Sequence, residues 1–296
     1  MNVSKWMQMN TENLYGKLAA VTGTTGGLGR ELCRYLCRLG ASLVLLDRNA
    51  ERSENFRQKL LSEFPEVPIS RITVDLEDMC SVRAAVKELE KLPLDIFISN
   101  AGAYSIPRNT SNAGFDNVFQ INFVSPYYII RELLPNLQKR GGRVITVGSI
   151  AHNYSKIDPA DVDFSTRRAS SKVYGNAKRF LMFSLFELLK NETAVSLSIV
   201  HPGITFTNIT AHYPKVIFAV IKHPMKIIFM KPKTAALSIV KGIFQNCGYH
   251  EWIGPRIFNI WGLPKLKKLK TCSIEESQSI GNIAEEIYET VSQTSL

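Results

Sequence analysis

Two side chains of one predicted helix have the types and spacing needed to move a proton. Tyr174 and Lys178 are four residues apart, which places the phenol and the ammonium group on the same helical face. A phenol has a pKa of about 10, and a nearby cation favours the phenolate. A drop of about three pKa units corresponds to ~4 kcal/mol of differential stabilisation. The pair predicts that Tyr174 is a general acid or base, while Lys178 lowers its pKa and holds a cofactor ribose.

The spacing of this pair is weak support in isolation, because a chain with ten tyrosines and many lysines contains such a pair by chance. The alternative is a surface aromatic ring beside a solvated ammonium group. The position of the pair after a predicted strand and a loop favours the catalytic interpretation.

Two further polar residues have positions that suit the same chemistry. Ser149 follows a predicted strand at 144–147 and can donate a hydrogen bond to a substrate oxygen, although a turn cap is the alternative. Asn122 lies inside a predicted helix at 116–137, where asparagine is unfavourable unless its amide has a specific role. We expect a kink there, with a bound water that connects Lys178 to solvent.

Residues 22–29 read Thr-Gly-Thr-Thr-Gly-Gly-Leu-Gly, between an apolar run at 18–21 and a helical pattern at 28–39. The first turn of a helix has unpaired N–H groups and a partial positive charge, and glycines let phosphates reach them. A strand, a glycine turn and a helix in this order predict a dinucleotide site. The residues expected to contact the cofactor here are Gly23, Thr25, Gly27, Leu28 and Gly29.

Polar residues after the next strand indicate which dinucleotide binds. Asp47 can accept hydrogen bonds from a ribose 2′-hydroxyl and would repel a 2′-phosphate, which favours NAD. Arg48 could instead pair with that phosphate, so NADP stays possible. A solvated loop charge is the alternative for either residue.

Short segments after the third and fourth strands are also candidates for the cofactor site. Asp75 and Leu76 are placed to meet the adenine, and small residues after the fourth strand would let the cofactor pass close to the backbone. Helix caps or turns are the alternative for each. The small residues are Asn100, Ala101 and Gly102.

Apolar runs alternate with helical patterns along most of the chain. Nearly continuous apolar strands separated by helices predict an α/β fold, a Rossmann-type doubly wound parallel sheet in a single domain. Further strands are expected at 41–46, 69–74, 94–98, 195–200 and 252–253, and helices at 51–63, 79–91, 172–190 and 233–245. We expect an N-terminal extension at 1–15, the Rossmann-type domain at 16–256 with a proline-punctuated lid at about 207–232, and a basic C-terminal extension at 257–296 with a helix near 275–291.

The composition limits the class of protein. A chain of 296 residues with 45% hydrophobic residues suits a globular protein. Five cysteines without a C-x-x-C pair predict reduced, buried thiols and no metal site. The first sixteen residues lack the pattern of a secretory signal, and no run of eighteen apolar residues occurs. We therefore expect a cytoplasmic protein that is neither exported nor membrane-spanning.

The net charge of +10 is concentrated in one region. Residues 211–270 contain eleven Lys or Arg and a single acid, Glu251. No nucleic-acid motif accompanies this excess, so anionic lipid headgroups are the favoured partner over nucleic acid. In the predicted lid, apolar clusters alternate with Lys215, Lys222 and Lys226, which suits peripheral membrane contact. The alternative for the predicted lid is that its apolar residues cover the core while its lysines are solvated. The alternative for residues 264–270 is a flexible tail.

Taken together these motifs resemble the short-chain dehydrogenase/reductase family over about residues 16–245. The resemblance rests on T-G-x-x-x-G-x-G at 22–29, N-A-G at 100–102, Y-x-x-x-K at 174–178 and Pro-Gly at 202–203, with Asn122 and Ser149 between them. Two departures are Ser99, where the family more often has Asn, and a gap of 25 residues from Ser149 to Tyr174. That gap, Ala151-His152 and His-Pro-Gly at 201–203 are similar to the retinol-dehydrogenase-like branch. Gly26 also permits the T-G-x-x-G-x-x-G pattern of epimerase-like forms. The N-A-G segment argues against assignment to those forms.

The resemblance implies a catalytic tetrad, further cofactor contacts and an oligomer. The tetrad would be Asn122, Ser149, Tyr174 and Lys178, and the nicotinamide would meet Pro202, Gly203, Thr205 and Thr207. The family's dimers or tetramers form through helices that correspond to 116–137 and 172–190. We expect an NAD(P)-dependent oxidoreductase for a lipophilic alcohol or carbonyl compound, such as a steroid or retinoid. A non-catalytic nucleotide sensor or scaffold that docks on membranes is the alternative.

Overall fold

The fold is taken from a computed structural model that describes residues 3–204 and 230–293. One sheet of eight strands has the order β3-β2-β1-β4-β5-β6-β7-β8. The strands are β1 Leu18–Thr22, β2 Ser42–Asp47, β3 Ile69–Thr73, β4 Ile96–Ser99, β5 Arg143–Val147, β6 Ser196–Val200, β7 Glu251–Ile257 and β8 Trp261–Lys268. The predicted Rossmann-type α/β fold is confirmed, with β8 as an antiparallel edge strand.

Helices cover both faces of the sheet. The helices are α1 Val3–Asn10, α2 Gly27–Arg38, α3 Ala50–Glu63, α4 Met79–Leu89, α5 Asn117–Phe119, α6 Ser125–Gln138, α7 Ser170–Leu189, α8 Pro232–Phe244 and α9 Ile274–Gln293. Side chains alternate along each strand, so that Val44 and Leu46 enter the core beneath α4, α6 and α7. Leu43 and Leu45 enter the opposite core beneath α2, α3 and α8. Burial on both faces explains why these strands read as continuous apolar runs.

The strand order reverses between β1 and β4, which are neighbours although they are not consecutive. Ligands of such sheets bind at this switch point, outside the carboxyl ends of the strands. The glycine turn follows β1 and the Asn-Ala-Gly segment follows β4, so both predicted cofactor segments lie at that position.

The C-terminal region differs from the prediction. The sequence predicts a boundary between 256 and 257, but β7 crosses it and β7 pairs with β8. Pro255 and Pro264 face each other in this hairpin. Prolines and lysines are accepted on an edge strand, where they obscure the apolar alternation. Residues 264–268 are therefore part of the sheet rather than of a flexible tail.

Helix α9 lies over α6 and α7, the helices through which the family resemblance implies that subunits associate. Tyr288 of α9 packs on Tyr128 of α6, with ring centroids 5.7 Å apart. Glu285 of α9 pairs with Arg131, and Ser277 donates a hydrogen bond of 2.6 Å to Glu187 of α7. An oligomer through α6 and α7 would have to displace the chain's own helix.

None of the five cysteines, all of them in the described residues, forms a disulfide, and three of them are buried. Cys33, Cys37 and Cys272 are buried, Cys247 is half-buried and Cys80 is exposed. The prediction of uniformly buried thiols is wrong for Cys80, which lies in the first turn of α4 at the surface.

Candidate active site

The glycine turn is shaped by close backbone contacts. Gly23 has φ +70°, and a Cβ there would lie 2.9 Å from the Cα of Ala101. A Cβ on Gly29 would lie 2.3 Å from the carbonyl oxygen of Gly23. Gly26 caps α2, and within residues 3–204 and 230–293 no side-chain cap hydrogen bond is made to the N–H groups of its first turn. These N–H groups can therefore bind a pyrophosphate, as the sequence predicts.

The Asn-Ala-Gly segment is hydrogen-bonded to this turn. The hydroxyl of Thr22 accepts hydrogen bonds from the backbone N–H groups of Asn100 and Ala101, both at 2.9 Å. The amide of Asn100 donates to the carbonyl of Thr22 at 2.8 Å. Its Oδ1 is buried and has no hydrogen-bond partner among the described residues. This orphaned acceptor and the uncapped helix start fit a bound dinucleotide.

Asp47 has a different setting from the one predicted. Its buried carboxylate accepts hydrogen bonds from Thr24, from the N–H of Thr25 at 3.1 Å, from the hydroxyl of Thr25 at 3.2 Å and from Ser53 at 2.9 Å. A carboxylate offers about four acceptor positions. A ribose hydroxyl must therefore displace one of these donors, because the acceptor positions are already taken by the chain itself.

The other predicted adenosine contacts are placed at the same edge of the sheet. Arg48 is exposed, and Asp75 accepts a hydrogen bond from the N–H of Glu77 at 3.0 Å. Leu76 is buried, and its carbonyl accepts a hydrogen bond from Ser125. The Asp75 carboxylate is thus engaged in a local turn, which was the alternative that the sequence left open.

Asn122 lies in an irregular turn of its helix. The predicted helix at 116–137 is divided into α5, a π-helical turn at Gln120–Val124 and α6, so the expected kink is present. The side chain of Asn122 is fully buried and donates to the carbonyl groups of Ala103 and Val118, each at 2.8 Å. Its Oδ1 accepts from the N–H of Ala103 at 3.2 Å. Asn122 thereby fixes the backbone that follows Gly102.

Ser149 and Tyr174 meet because α7 approaches the segment after β5 very closely. Ser149 caps a short 3₁₀ helix at Ile150–Tyr154, where its hydroxyl accepts from the N–H of Ala151 at 3.2 Å. A Cβ on Gly175 would lie 2.3 Å from the carbonyl oxygen of Ala151, so only glycine fits beside Tyr174. Hydrogen bonding from the side chain of Ser149 acts to lower the pKa of the Tyr174 phenol, and Tyr104 packs edge-on against the Tyr174 ring with centroids 5.2 Å apart.

Lys178 lies behind this pair. Its buried ammonium donates to the carbonyl of Val147 at 3.0 Å and lies 5.9 Å from the centre of the Tyr174 ring. A Cβ on Gly102 would lie 3.6 Å from the same nitrogen. The ends of β4, β5 and α7 therefore converge at Lys178, and the four residues of the predicted tetrad lie around one place.

The pKa of Tyr174 shifts in the direction opposite to the prediction. Burial raises the pKa of Tyr174 to about 12, although the hydrogen bond from Ser149 opposes this rise. Burial also lowers the pKa of Lys178 to about 8, because the charged form loses solvation. The loss of solvation therefore dominates the pKa of Tyr174, and the phenol stays protonated at neutral pH.

The loop after β6 is described only in its first residues. Pro202 and Gly203 are buried, and Gly203 has φ +82°. Thr205, Thr207 and nearly all of the predicted lid lie outside the described residues.

Sequence reasoning missed a buried polar network beneath Ser149. Nδ1 of His152 donates to the carbonyl of Ser149 at 2.5 Å, and Nε2 accepts from Thr271 at 2.8 Å. Arg179 donates to the carbonyl of His152 at 3.1 Å and pairs with Glu276 of α9. The only sequence signal was His152 itself, noted for its resemblance to one branch of the family.

Comparison with known proteins decides the family. The sequence model of short chain dehydrogenases matches residues 17–216, well over half of the chain. The chain belongs to the short-chain dehydrogenase/reductase family. At the level of the family, the predictions of a nicotinamide-dependent oxidoreductase and of an NAD(P) cofactor are confirmed.

Several curated relatives of this family member are named for the lipophilic alcohols polyprenol and retinol. Mouse polyprenol dehydrogenase is 28% identical over 236 residues, which are 76% of this chain and 70% of that protein. Mouse retinol dehydrogenase 12 is 30% identical over 200 residues, 66% of this chain and 63% of that protein. The chain thus aligns with about two thirds of the length of each relative. The names of these relatives are consistent with the retinol-dehydrogenase-like branch.

Solved structures share the fold. An uncharacterised protein of Mycobacterium paratuberculosis superposes with a TM-score of 0.76 at 20% identity, covering 95% of this chain and 96% of that one. RhlG of Pseudomonas aeruginosa, in an active-site complex with NADP, has a TM-score of 0.60 at 24% identity and covers 79% of this chain and 93% of its own. Among the residues described here, no helix combines the length and apolarity needed to cross a bilayer.

Proposed function

We propose that this short-chain dehydrogenase/reductase interconverts a lipophilic alcohol and its carbonyl compound, with Tyr174 as the general acid or base. The observation that carries the proposal is the convergence of Tyr174, Ser149 and Lys178 at the end of β5, where the Lys178 ammonium donates to the carbonyl of Val147 and lies 5.9 Å from the centre of the Tyr174 ring. When bound, a nicotinamide dinucleotide supplies or accepts the hydride.

The residues act on the substrate oxygen and on the cofactor ribose. In the reductive direction Tyr174 donates its proton to the carbonyl oxygen, since its raised pKa keeps the phenol protonated. Ser149 donates a second hydrogen bond to that oxygen and orients it. Lys178 uses one N–H on Val147, which leaves two donors for ribose hydroxyls. In the oxidative direction Tyr174 accepts the proton of the alcohol.

The remaining site residues hold and select the cofactor. The first turn of α2 would hold the pyrophosphate of a bound cofactor, and Asn122 fixes the backbone beyond Gly102 that would adjoin it. Asp47 favours NAD over NADP through its negative charge rather than through a free acceptor, because its oxygens are already hydrogen-bonded. Arg48, exposed beside it, is the residue that would pair with a 2′-phosphate.

The substrate class is a retinoid, a polyprenol-like isoprenoid or a steroid. It is supported by the names of the relatives, which are polyprenol dehydrogenase and retinol dehydrogenases 12 and 14. It is also supported by the apolar and basic composition of the predicted lid at 207–232. A cytoplasmic enzyme in peripheral contact with an anionic membrane would meet such a substrate at the bilayer surface.

A substrate panel tests this proposal. NADH and NADPH oxidation are followed with retinal, a polyprenyl aldehyde, a steroid ketone and a small hydrophilic aldehyde, all in detergent micelles. We expect turnover with at least one apolar compound, a preference for NADH and little turnover with the hydrophilic aldehyde. NADH binding without turnover of any compound would instead support the nucleotide-binding scaffold.

A further inference from the structure

The turn that joins β7 to β8 presents large apolar side chains to solvent. Phe258 is 82% exposed, Ile257 is 50% exposed and Trp261 is 36% exposed. The three lie within five residues at the tip of one hairpin. A cluster of this kind at a protruding tip is unusual unless it contacts a partner.

Phe258 is an unfavourable residue for the backbone conformation of this turn. The N–H of Ile260 donates to the carbonyl of Ile257 at 2.9 Å, and both central residues have positive φ, +49° for Phe258 and +59° for Asn259. Tight turns with two positive φ values favour Asn or Gly. A bulky aromatic residue is an outlier in this region, and Phe258, at 82% exposure, gains little packing from the described part of the chain to offset the strain. A partner outside the chain explains why phenylalanine occupies the position.

The tip is held rigidly in this conformation. Nζ of Lys267 donates to the carbonyl of Pro255 at 2.6 Å and to the side chain of Asn259 at 2.7 Å. The apolar residues are therefore presented by a fixed turn, which lowers the entropy cost of binding.

The hairpin around the tip is strongly cationic. Residues 252–270 contain five basic residues and no acid. Arg256 and Lys265, next to the tip, are exposed, as are Lys268 and Lys270. Lysines on an edge strand also prevent edge-to-edge pairing, but that role does not require an exposed Phe258 beside them. Aromatic residues flanked by cations match the interface of an anionic bilayer, where rings insert at headgroup level and basic side chains meet lipid phosphates.

We propose that the tip of the β7–β8 hairpin, Ile257 to Trp261, is a docking element that inserts into the interfacial region of an anionic lipid bilayer. This assigns membrane contact to a specific, rigid part of the fold. The turn also lies against the loop after β6, because a Cβ on Gly203 would lie 2.7 Å from the carbonyl oxygen of Ile260. Docking there would bring the bilayer beside the loop that leads into the predicted lid. That consequence for substrate delivery rests on the proposed function, whereas lipid binding does not.

Co-sedimentation of the full chain with vesicles tests the docking element. Phosphatidylcholine vesicles with and without phosphatidylserine are compared at low and high salt. We expect binding to the anionic vesicles at low salt, with weaker binding at high salt. Phe258→Asn places a favoured residue in the turn, so we expect an unchanged or higher melting temperature and vesicle binding weakened about tenfold.

Matched variants separate the tip from other exposed groups. Arg256→Gln with Lys265→Gln should weaken binding to anionic vesicles and remove most of its salt dependence. Tyr15, which is 76% exposed and lies near the start of the chain, supplies the aromatic control. The Tyr15→Ser variant should bind anionic vesicles as the wild type does. No binding of the wild type to anionic vesicles at low salt, or full binding by Phe258→Asn, would overturn the proposal. Turnover in detergent micelles is measured separately, so that loss of docking is distinguished from loss of the proposed activity.

Discussion

The imidazole of His152 holds the backbone carbonyl of Ser149 through a hydrogen bond of 2.5 Å. Its other nitrogen is hydrogen-bonded to Thr271, 119 positions along the chain, in the segment that leads into α9. The backbone of Ser149, which precedes the 3₁₀ helix, is thereby fixed to the C-terminal part of the fold. We regard His152 as a positioning residue for Ser149, not as a catalytic one, because it reaches the site only through the Ser149 backbone.

Replacing His152 by leucine tests this link. The variant removes both side-chain hydrogen bonds and leaves buried partners unpaired, so we expect a loss of about 1–3 kcal/mol in the free energy of unfolding. It should also lower kcat, while cofactor binding is retained. Urea unfolding and steady-state rates measure the two effects. His250→Leu, which removes a half-buried imidazole that contacts Ser277, should lower stability and leave kcat unchanged; an unchanged kcat in His152→Leu would remove the positioning role.

Two buried histidines predict a dependence of stability on pH. Burial lowers the pKa of His152 and that of His201 to about 4 each. The unfolded pKa is about 6.5, so the unfolded chain binds more protons than the folded one between these values. Stability is therefore complete above about pH 6.5 and falls as the pH is lowered toward 4, by on the order of 3 kcal/mol for His152 over the whole range.

The measurement for this prediction is urea unfolding between pH 7.5 and pH 5, above the range in which most carboxyl groups titrate. The slope of the free energy of unfolding against pH should be smaller in His152→Leu by about one proton's contribution at pH 5. Equal slopes in the variant and the wild type would show that His152 is not buried in its neutral form.

The charge of Asp47 predicts the cofactor preference. Two like charges about 4 Å apart repel by ~1 kcal/mol in water and ~4 kcal/mol near a protein surface. Asp47→Ser removes this repulsion of a 2′-phosphate and leaves Arg48 in place, so the ratio of kcat/KM for NADPH to that for NADH should rise at least about tenfold. Asp75→Asn, at the next strand end, is the control and should leave the ratio within about threefold. A ratio unaffected by Asp47→Ser would mean that other groups select the cofactor.

The position of α9 predicts the oligomeric state. Because α9 covers α6 through Tyr288 and Glu285 and contacts α7 through Ser277, we expect a monomer of 33.2 kDa. Sedimentation equilibrium over a wide concentration range measures this directly. A tight dimer would contradict the expectation, and it would show that α9 is displaced or that another surface associates.

Much of the fold follows from patterns that are local in the sequence. The strands that are buried on both faces are apolar throughout, and their positions are predicted to within about two residues. β8 could not be predicted, because Pro264 and its lysines are typical of a loop unless the pairing with β7 is known. The kink at Asn122 was predictable, because a buried amide in a helix needs a special setting.

The energetics of the site could not be predicted from spacing. The distance of four residues places Tyr174 and Lys178 on one face, but it does not reveal how far either is removed from water. That desolvation reverses the predicted shift in the pKa of Tyr174. The spacing of the sequence also does not show that Ser53 donates a hydrogen bond to the carboxylate of Asp47 and occupies one of its acceptor positions. The hydrogen bond between Thr271 and His152 spans 119 positions and that from Arg179 to the carbonyl of His152 spans 27, and no local pattern indicates either.

The most direct test of the proposed catalysis is the rate of Tyr174→Phe with the best apolar aldehyde, measured beside NADH binding by fluorescence. A general acid contributes about 10²–10⁴-fold, so we expect turnover to fall by at least that range while the Kd for NADH changes little. Tyr154→Phe, an exposed tyrosine on the 3₁₀ helix, should retain the wild-type rate. Turnover of Tyr174→Phe within a few-fold of the wild type, with NADH binding intact, would contradict the role of Tyr174 as the proton donor.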